Sequence, residues 1–106
     1  LWLVMEKKYY IKIHRSYRSV VAICDPHILG KKFEEGKRQL DVRENFYKGE
    51  EFNHEKAIDL LKMQKMEDST FNIAGNDSVK AAIEAGIIEE GNVGEVDGIK
   101  FALLLL

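Results

Sequence analysis

The chain has little cysteine, little proline and no long apolar run. Cys24 is the single cysteine among 106 residues, so no internal disulfide is available and a reducing, cytoplasmic setting is expected. Pro26 is the single proline, and no Pro-rich linker, repeat or low-complexity stretch divides the chain. No apolar run approaches the ~20 residues that span a bilayer, so no membrane association is expected. Leu1-Trp2-Leu3-Val4 is too short for a signal-peptide core and lacks a basic region before it, and Met5 close behind suggests an alternative start. With 45% hydrophobic and 32% charged residues, the composition excludes disorder and fits one folded domain.

The charge is unevenly spread. Residues 1–43 hold ten Lys/Arg against five Asp/Glu, a net of +5, while residues 44–106 hold six against thirteen, a net of -7. Two readings stay open: a basic face that meets an anionic partner, or two halves that complement each other.

Tyr9, Ile11 and Ile13 alternate with Tyr10, Lys12 and His14, the period of a half-buried strand. Arg15 to Ser19 is polar and reads as a loop. Val20 to Cys24 is a continuous apolar run, a strand covered on both faces, and the two strands predict a hairpin. Asp25-Pro26 is a helix-start signal, which Gly30 soon ends. Lys31 to Lys37 reads as a charged connection anchored by Phe33. Arg38 to Val42 alternates again, with Leu40 and Val42 inward. Phe46 to Glu50 reads as a strand end entering a turn. Asn53 caps a helix to about Met66, with Phe52 and Ala57 placed as a hydrophobic staple.

Phe71 to Ile88 is the most strongly patterned stretch. An apolar run feeds Gly75-Asn76-Asp77-Ser78, where Asn76 is the expected N-cap of a helix and Asp77 suits its dipole. Val79, Ala82 and Ile83 share one face, and Gly86 fits the left-handed position after the last turn. Asp97-Gly98 between two apolar runs predicts a closing hairpin. The order β-β-short α-β-α-α-β-β predicts a single α+β domain: a mostly antiparallel sheet, two main helices and one short one on one face, and a hairpin at each end.

The stretch Val21 to Gly36, with Phe46-Tyr47-Lys48-Gly49 and Asn72-Ile73-Ala74-Gly75…Ala82…Gly86, resembles the small archaeal DUF424 family over about Tyr9 to Ala102. The resemblance implies a compact cytoplasmic archaeal protein, loosely linked with translation and RNA. It carries over no catalytic residues.

The residues themselves show no catalytic constellation. Cys24 ends an apolar strand and precedes an acid, the setting of a structural thiol rather than a nucleophile. His14, His27 and His54 lie on three elements without metal-ligand spacing, so no metal or cofactor is expected. Glu34-Glu35 and Glu89-Glu90 read as solvated charge. Gly75, Asn76 and Ser78 at a helix start are a weak anion-site candidate, since free N–H groups there can hold a phosphate. The stronger candidates are Arg15, Arg18, Lys31, Lys32, Lys37 and Arg38 with Tyr10 and Tyr17, cations for phosphates and aromatics for unpaired bases. They are expected to form one positive face.

The expected function is therefore an RNA- or translation-associated binding module. A protein–protein adaptor or homo-oligomer is the alternative, and a small-molecule enzyme ranks below both. Leu103, Leu104, Leu105 and Leu106 end the chain without alternation or charge, a pattern that suggests a homodimer edge or pairing with Leu1–Val4.

Overall fold

A computed structural model of the chain describes residues 6–105. β1 (Lys8–His14) and β2 (Val20–Cys24) form the expected N-terminal hairpin, with Tyr10 opposite Cys24 and His14 opposite Val20. A 3-10 turn at Pro26–Ile28 follows, with Asp25 at its N-cap position. β3 (Lys32–Glu35) and β4 (Arg38–Asp41) form a separate two-stranded hairpin. α1 (Glu44–Tyr47) and β5 (Glu50–Asn53) lead into α2 (His54–Met66). β6 (Thr70–Ala74), α3 (Asn76–Glu84), β7 (Gly94–Val96) and β8 (Ile99–Leu104) complete the chain. The main sheet has six strands in the order β5-β1-β2-β6-β8-β7, and only β2 and β6 run parallel. The α+β class, the mostly antiparallel sheet, the two main helices and both terminal hairpins are as expected.

Two cores flank this sheet. On one face Tyr9, Ile11, Val21, Ile23, Phe71 and Ile73 pack against Ala57, Ile58 and Leu61 of α2 and Val79 and Ala82 of α3. On the other, Ala22, Cys24 and Ala74 pack against Ile28, Leu40, Val42 and Tyr47. Helices on a single face would leave that second surface bare. The 3-10 turn, the β3–β4 hairpin and α1 cover it instead, because the central strands are apolar on both sides.

Local corrections follow from tertiary partners. Lys32 to Glu35 is a strand because Arg38–Asp41 pairs with it, although only Phe33 gives it an apolar anchor. Glu44 to Tyr47 is helical rather than a strand end, and the strand begins at Glu50, where β1 supplies a partner. Asn53 does cap α2, accepting from the Lys56 N–H at 2.9 Å. The C-terminus of α3 is a Schellman motif: Gly86 N–H donates to Ile83 O and Ile87 N–H to Ala82 O, with Gly86 at φ +76°. Lys65 of α2 donates its Nζ to the Gly86 carbonyl, tying the two helices together there. Leu1–Val4 and Leu106 lie outside the described residues. Among the described residues, no helix is long and apolar enough to cross a membrane.

Candidate functional site

Two ends of the sheet carry most of the polar detail. At the C-terminal ends of the parallel pair, Cys24 lies opposite Ala74, so the turn after β2 meets the turn after β6. Asp25 is buried there. Its carboxylate accepts from the backbone N–H groups of Asp77 (3.1 Å) and Ser78 (2.8 Å) and from the Ser78 hydroxyl (2.6 Å). The α3 N-terminus is thus satisfied by a carboxylate 52 residues away in sequence. Asn76 is not the N-cap. Gly75 holds that position, and Asn76 Oδ1 instead accepts from the Lys100 N–H at 2.8 Å. The place an anion would take beside Gly75, Asn76 and Ser78 is filled by Asp25, so that joint reads as structural.

Two other constellations look chemical and are held as structure. Glu84 accepts from His54 Nε2–H, which leaves His54 Nδ1 to accept from the Tyr9 hydroxyl at 2.8 Å. This chain of bonds clamps β1 to the start of α2 and the end of α3. Burial pushes the Tyr9 hydroxyl up to about 12, with the charges of Asp77, Asp25 and Glu84 adding to it. Cys24 is pushed up to about 12 by burial and then by Asp25, so it stays a thiol at neutral pH.

The opposite end of the sheet is open. A cleft of about 450 Å³ on the second face is lined by His14, Asp41, Arg43, Asn45, Phe46, Tyr47 and Asn72. Strand alternation sets its floor: Phe71 and Ile73 enter the first core, so Asn72 between them faces the other way, flanked by Ala22 and Leu103. α1 forms a wall and is strapped to β1. Lys12 Nζ donates to Asn45 O at 2.9 Å, and His14 Nε2 donates to Phe46 O at 2.8 Å. The His14 ring stacks on Phe46 with centroids 4.6 Å apart. Arg43 Nε lies 3.3 Å from Asp41 Oδ2, so the cleft's cation and anion offset each other. Burial, the Cys24 thiol and Asp41 push the Tyr47 hydroxyl up to about 12, which keeps it a neutral donor. Carboxamides, a phenol and an imidazole in a near-neutral cleft suit an uncharged hydrogen-bonding group, such as a nucleobase edge, better than a bare anion.

The basic residues expected on one face fall into two groups. Arg15, Tyr17 and Arg18 lie on the β1–β2 loop, which leaves the sheet directly after His14 of the cleft. Tyr17 is fully exposed, and Arg18 Nη1 donates to the Asp68 carbonyl at 2.9 Å. Lys31, Lys32, Lys37 and Arg38 belong to the β3–β4 hairpin and its approach, and Glu35 near its tip accepts from the Asp97 N–H at the other end of the sheet. Lys32 is paired with Glu34, and Arg38 lies over the Phe101 ring. Tyr10 packs partly buried against the second core, away from any stacking role. Lys12, His14, Arg43, Asn45 and Asn72 carried no individual sequence signal. Alternation alone put Lys12 and His14 on one face, and nothing paired them with residues some 30 positions later.

No curated protein sequence matches the chain. A solved crystal structure, of an uncharacterized conserved protein from Methanopyrus kandleri, superposes with a TM-score of 0.82 at 23% identity, covering 92% of this chain and 90% of that one. That likeness is one of fold. Residues 13–106 match the family DUF424, described as a protein of unknown function. The match covers nearly the whole chain, including Cys24-Asp25-Pro26 and Ala74-Gly75, whose meeting at the head of α3 joins β2 to β6: the chain belongs to the DUF424 family.

Proposed function

We propose that this protein is a binding module for single-stranded RNA, and that the second-face cleft and the β1–β2 loop form its contact surface. The observation that carries the reading is Tyr17, an aromatic ring wholly in solvent between Arg15 and Arg18, on the loop that leaves the cleft at His14. An exposed ring offers a base a stacking surface, and flanking arginines suit the adjoining phosphates. Asn45, Asn72 and Tyr47 supply donors and acceptors for a base edge in the cleft. The reading keeps Arg15, Tyr17 and Arg18 and leaves Lys31, Lys32, Lys37 and Arg38 outside the contact surface.

The test is fluorescence anisotropy with a labelled mixed-sequence RNA oligonucleotide. With Arg15 and Arg18 each neutralising a phosphate, affinity should fall about sevenfold between 50 and 200 mM salt. Tyr17→Ala should weaken binding by about fivefold to a hundredfold, the range of one lost stack. Arg15→Glu with Arg18→Glu should abolish it, while Lys31→Glu with Lys32→Glu should leave it nearly unchanged. No binding at the lower salt, or binding indifferent to Tyr17, overturns the proposal.

A further inference from the structure

We infer that the outer edge of β8 pairs with the same edge of a second copy of this chain, extending the sheet across a two-fold axis. β7 covers β8 only from Ile99 to Phe101. Lys100 turns its backbone toward β6, since its carbonyl accepts from Gly75 N–H at 2.8 Å and its N–H reaches Asn76 Oδ1. Alternation then turns Ala102 and Leu104 toward β6 and sends the backbone groups of Leu103 and Leu105 outward. Among the described residues no strand pairs with that outer stretch.

The two edges of the sheet differ in chemistry. β5, at the far side, carries Glu50 and Glu51, both exposed, which discourage another strand from pairing. Ala102 to Leu105 carries neither charge nor proline, and Leu103 is 52% and Leu105 70% exposed. An edge of this kind selects an apolar strand.

The edge is also self-complementary: apolar, uncharged and, among the described residues, without a strand partner for the backbone of Leu103 and Leu105, it offers a second copy the same groups it needs itself. A second copy meets every requirement. With the two-fold axis through Leu104, Leu103 faces Leu105 of the partner subunit, and the reverse pair repeats it. Four backbone hydrogen bonds form, and the exposed leucines of both copies meet on one face.

The edge is short, so association is expected in the high micromolar range rather than below it. Sedimentation equilibrium of the intact chain should show a mass rising toward the dimer with concentration, and Leu103→Lys, at an exposed position, should return it to the monomer. Hydrogen exchange supplies a second readout: the Leu103 and Leu105 amides should slow as concentration rises, while the Leu104 amide stays protected throughout. A monomer at all concentrations, a dimer that survives Leu103→Lys, or exchange at Leu103 that ignores concentration each overturns the inference. So does loss of the dimer on removing Leu1–Val4 alone.

Discussion

Asp25→Ala tests what holds α3 to the sheet. The substitution removes three hydrogen bonds to a buried carboxylate and leaves the Ser78 N–H, itself buried, without its acceptor. Charge-assisted bonds contribute ~1.5–3 kcal/mol each, but they are not additive here, since water can re-enter a vacated polar site. A loss of ~3–5 kcal/mol is expected. With a urea dependence of ~1.5 kcal/mol per molar for a chain of this size, the midpoint should fall by about 2–3 M. Asp25→Asn should fall between parent and Ala, because one oxygen still accepts while the new amide meets an N–H. Gly75 makes the test sharper. A Cβ there would lie 2.6 Å from both Asp25 carboxylate oxygens, and φ at Gly75 is +112°. Gly75→Ala should therefore destabilise strongly in the parent and less in the Asp25→Ala background, where only backbone strain remains. A coupling of ~1 kcal/mol or more is expected from that cycle. Additive losses within ~0.5 kcal/mol, or an Asp25→Ala midpoint within about 0.5 M of the parent, would refute the reasoning.

Gly86→Val should cost ~1 kcal/mol or more, seen as a thermal midpoint lower by about 4 °C, because a β-branched residue resists the left-handed region. No atom crowds that site, so Gly86→Asn should cost much less, and equal losses would point to a cause other than φ. Alkaline pH should also destabilise the fold. Tyr9 and Tyr47 rise from 10.0, and Cys24 from 9.0, to about 12 in the folded chain. The unfolded chain loses these protons first, so stability is full below about pH 9 and declines from there through pH 12. Urea midpoints that are equal at pH 8 and pH 11 would contradict that burial.

Much of the fold was legible because its signals are local. The period-two run at Tyr9–His14, the Asn53 cap, Gly86 and the Asp97-Gly98 turn each act within a few residues, and each reappears in the structure. What was not legible depends on distant partners. Lys32–Glu35 is a strand only because Arg38–Asp41 lies beside it. Asn76 has the right side chain for an N-cap, but Asp25 reaches the same N–H groups from the end of another strand and leaves Asn76 free for Lys100. The cleft is the extreme case. Its floor residue Asn72 reads as an interruption in an apolar run, and only the β2–β6–β8 register makes it a polar group in the middle of a sheet face.

The paired turns after β2 and β6 and the proposed contact surface therefore lie at opposite ends of the same strands. Cys24-Asp25-Pro26 and Ala74-Gly75 are distinctive because a parallel pair must end its two strands side by side, and here both turns share one carboxylate. That constraint is steric and electrostatic, and it leaves little choice of residue: an acid on one side, and on the other a residue with no Cβ and a positive φ. The open end is under no such constraint. His14, Asn45 and Asn72 face solvent across a cleft, and α1 stays in place through two bonds to backbone carbonyls that ask only for a donor of the right length. Distinctive residues thus mark where the fold is joined. The proposed contact surface is built from ordinary residues that the joint brings together, and the perturbations that separate stability from the proposed binding are accordingly Asp25 and Gly75 at one end, Tyr17 and Asn72 at the other.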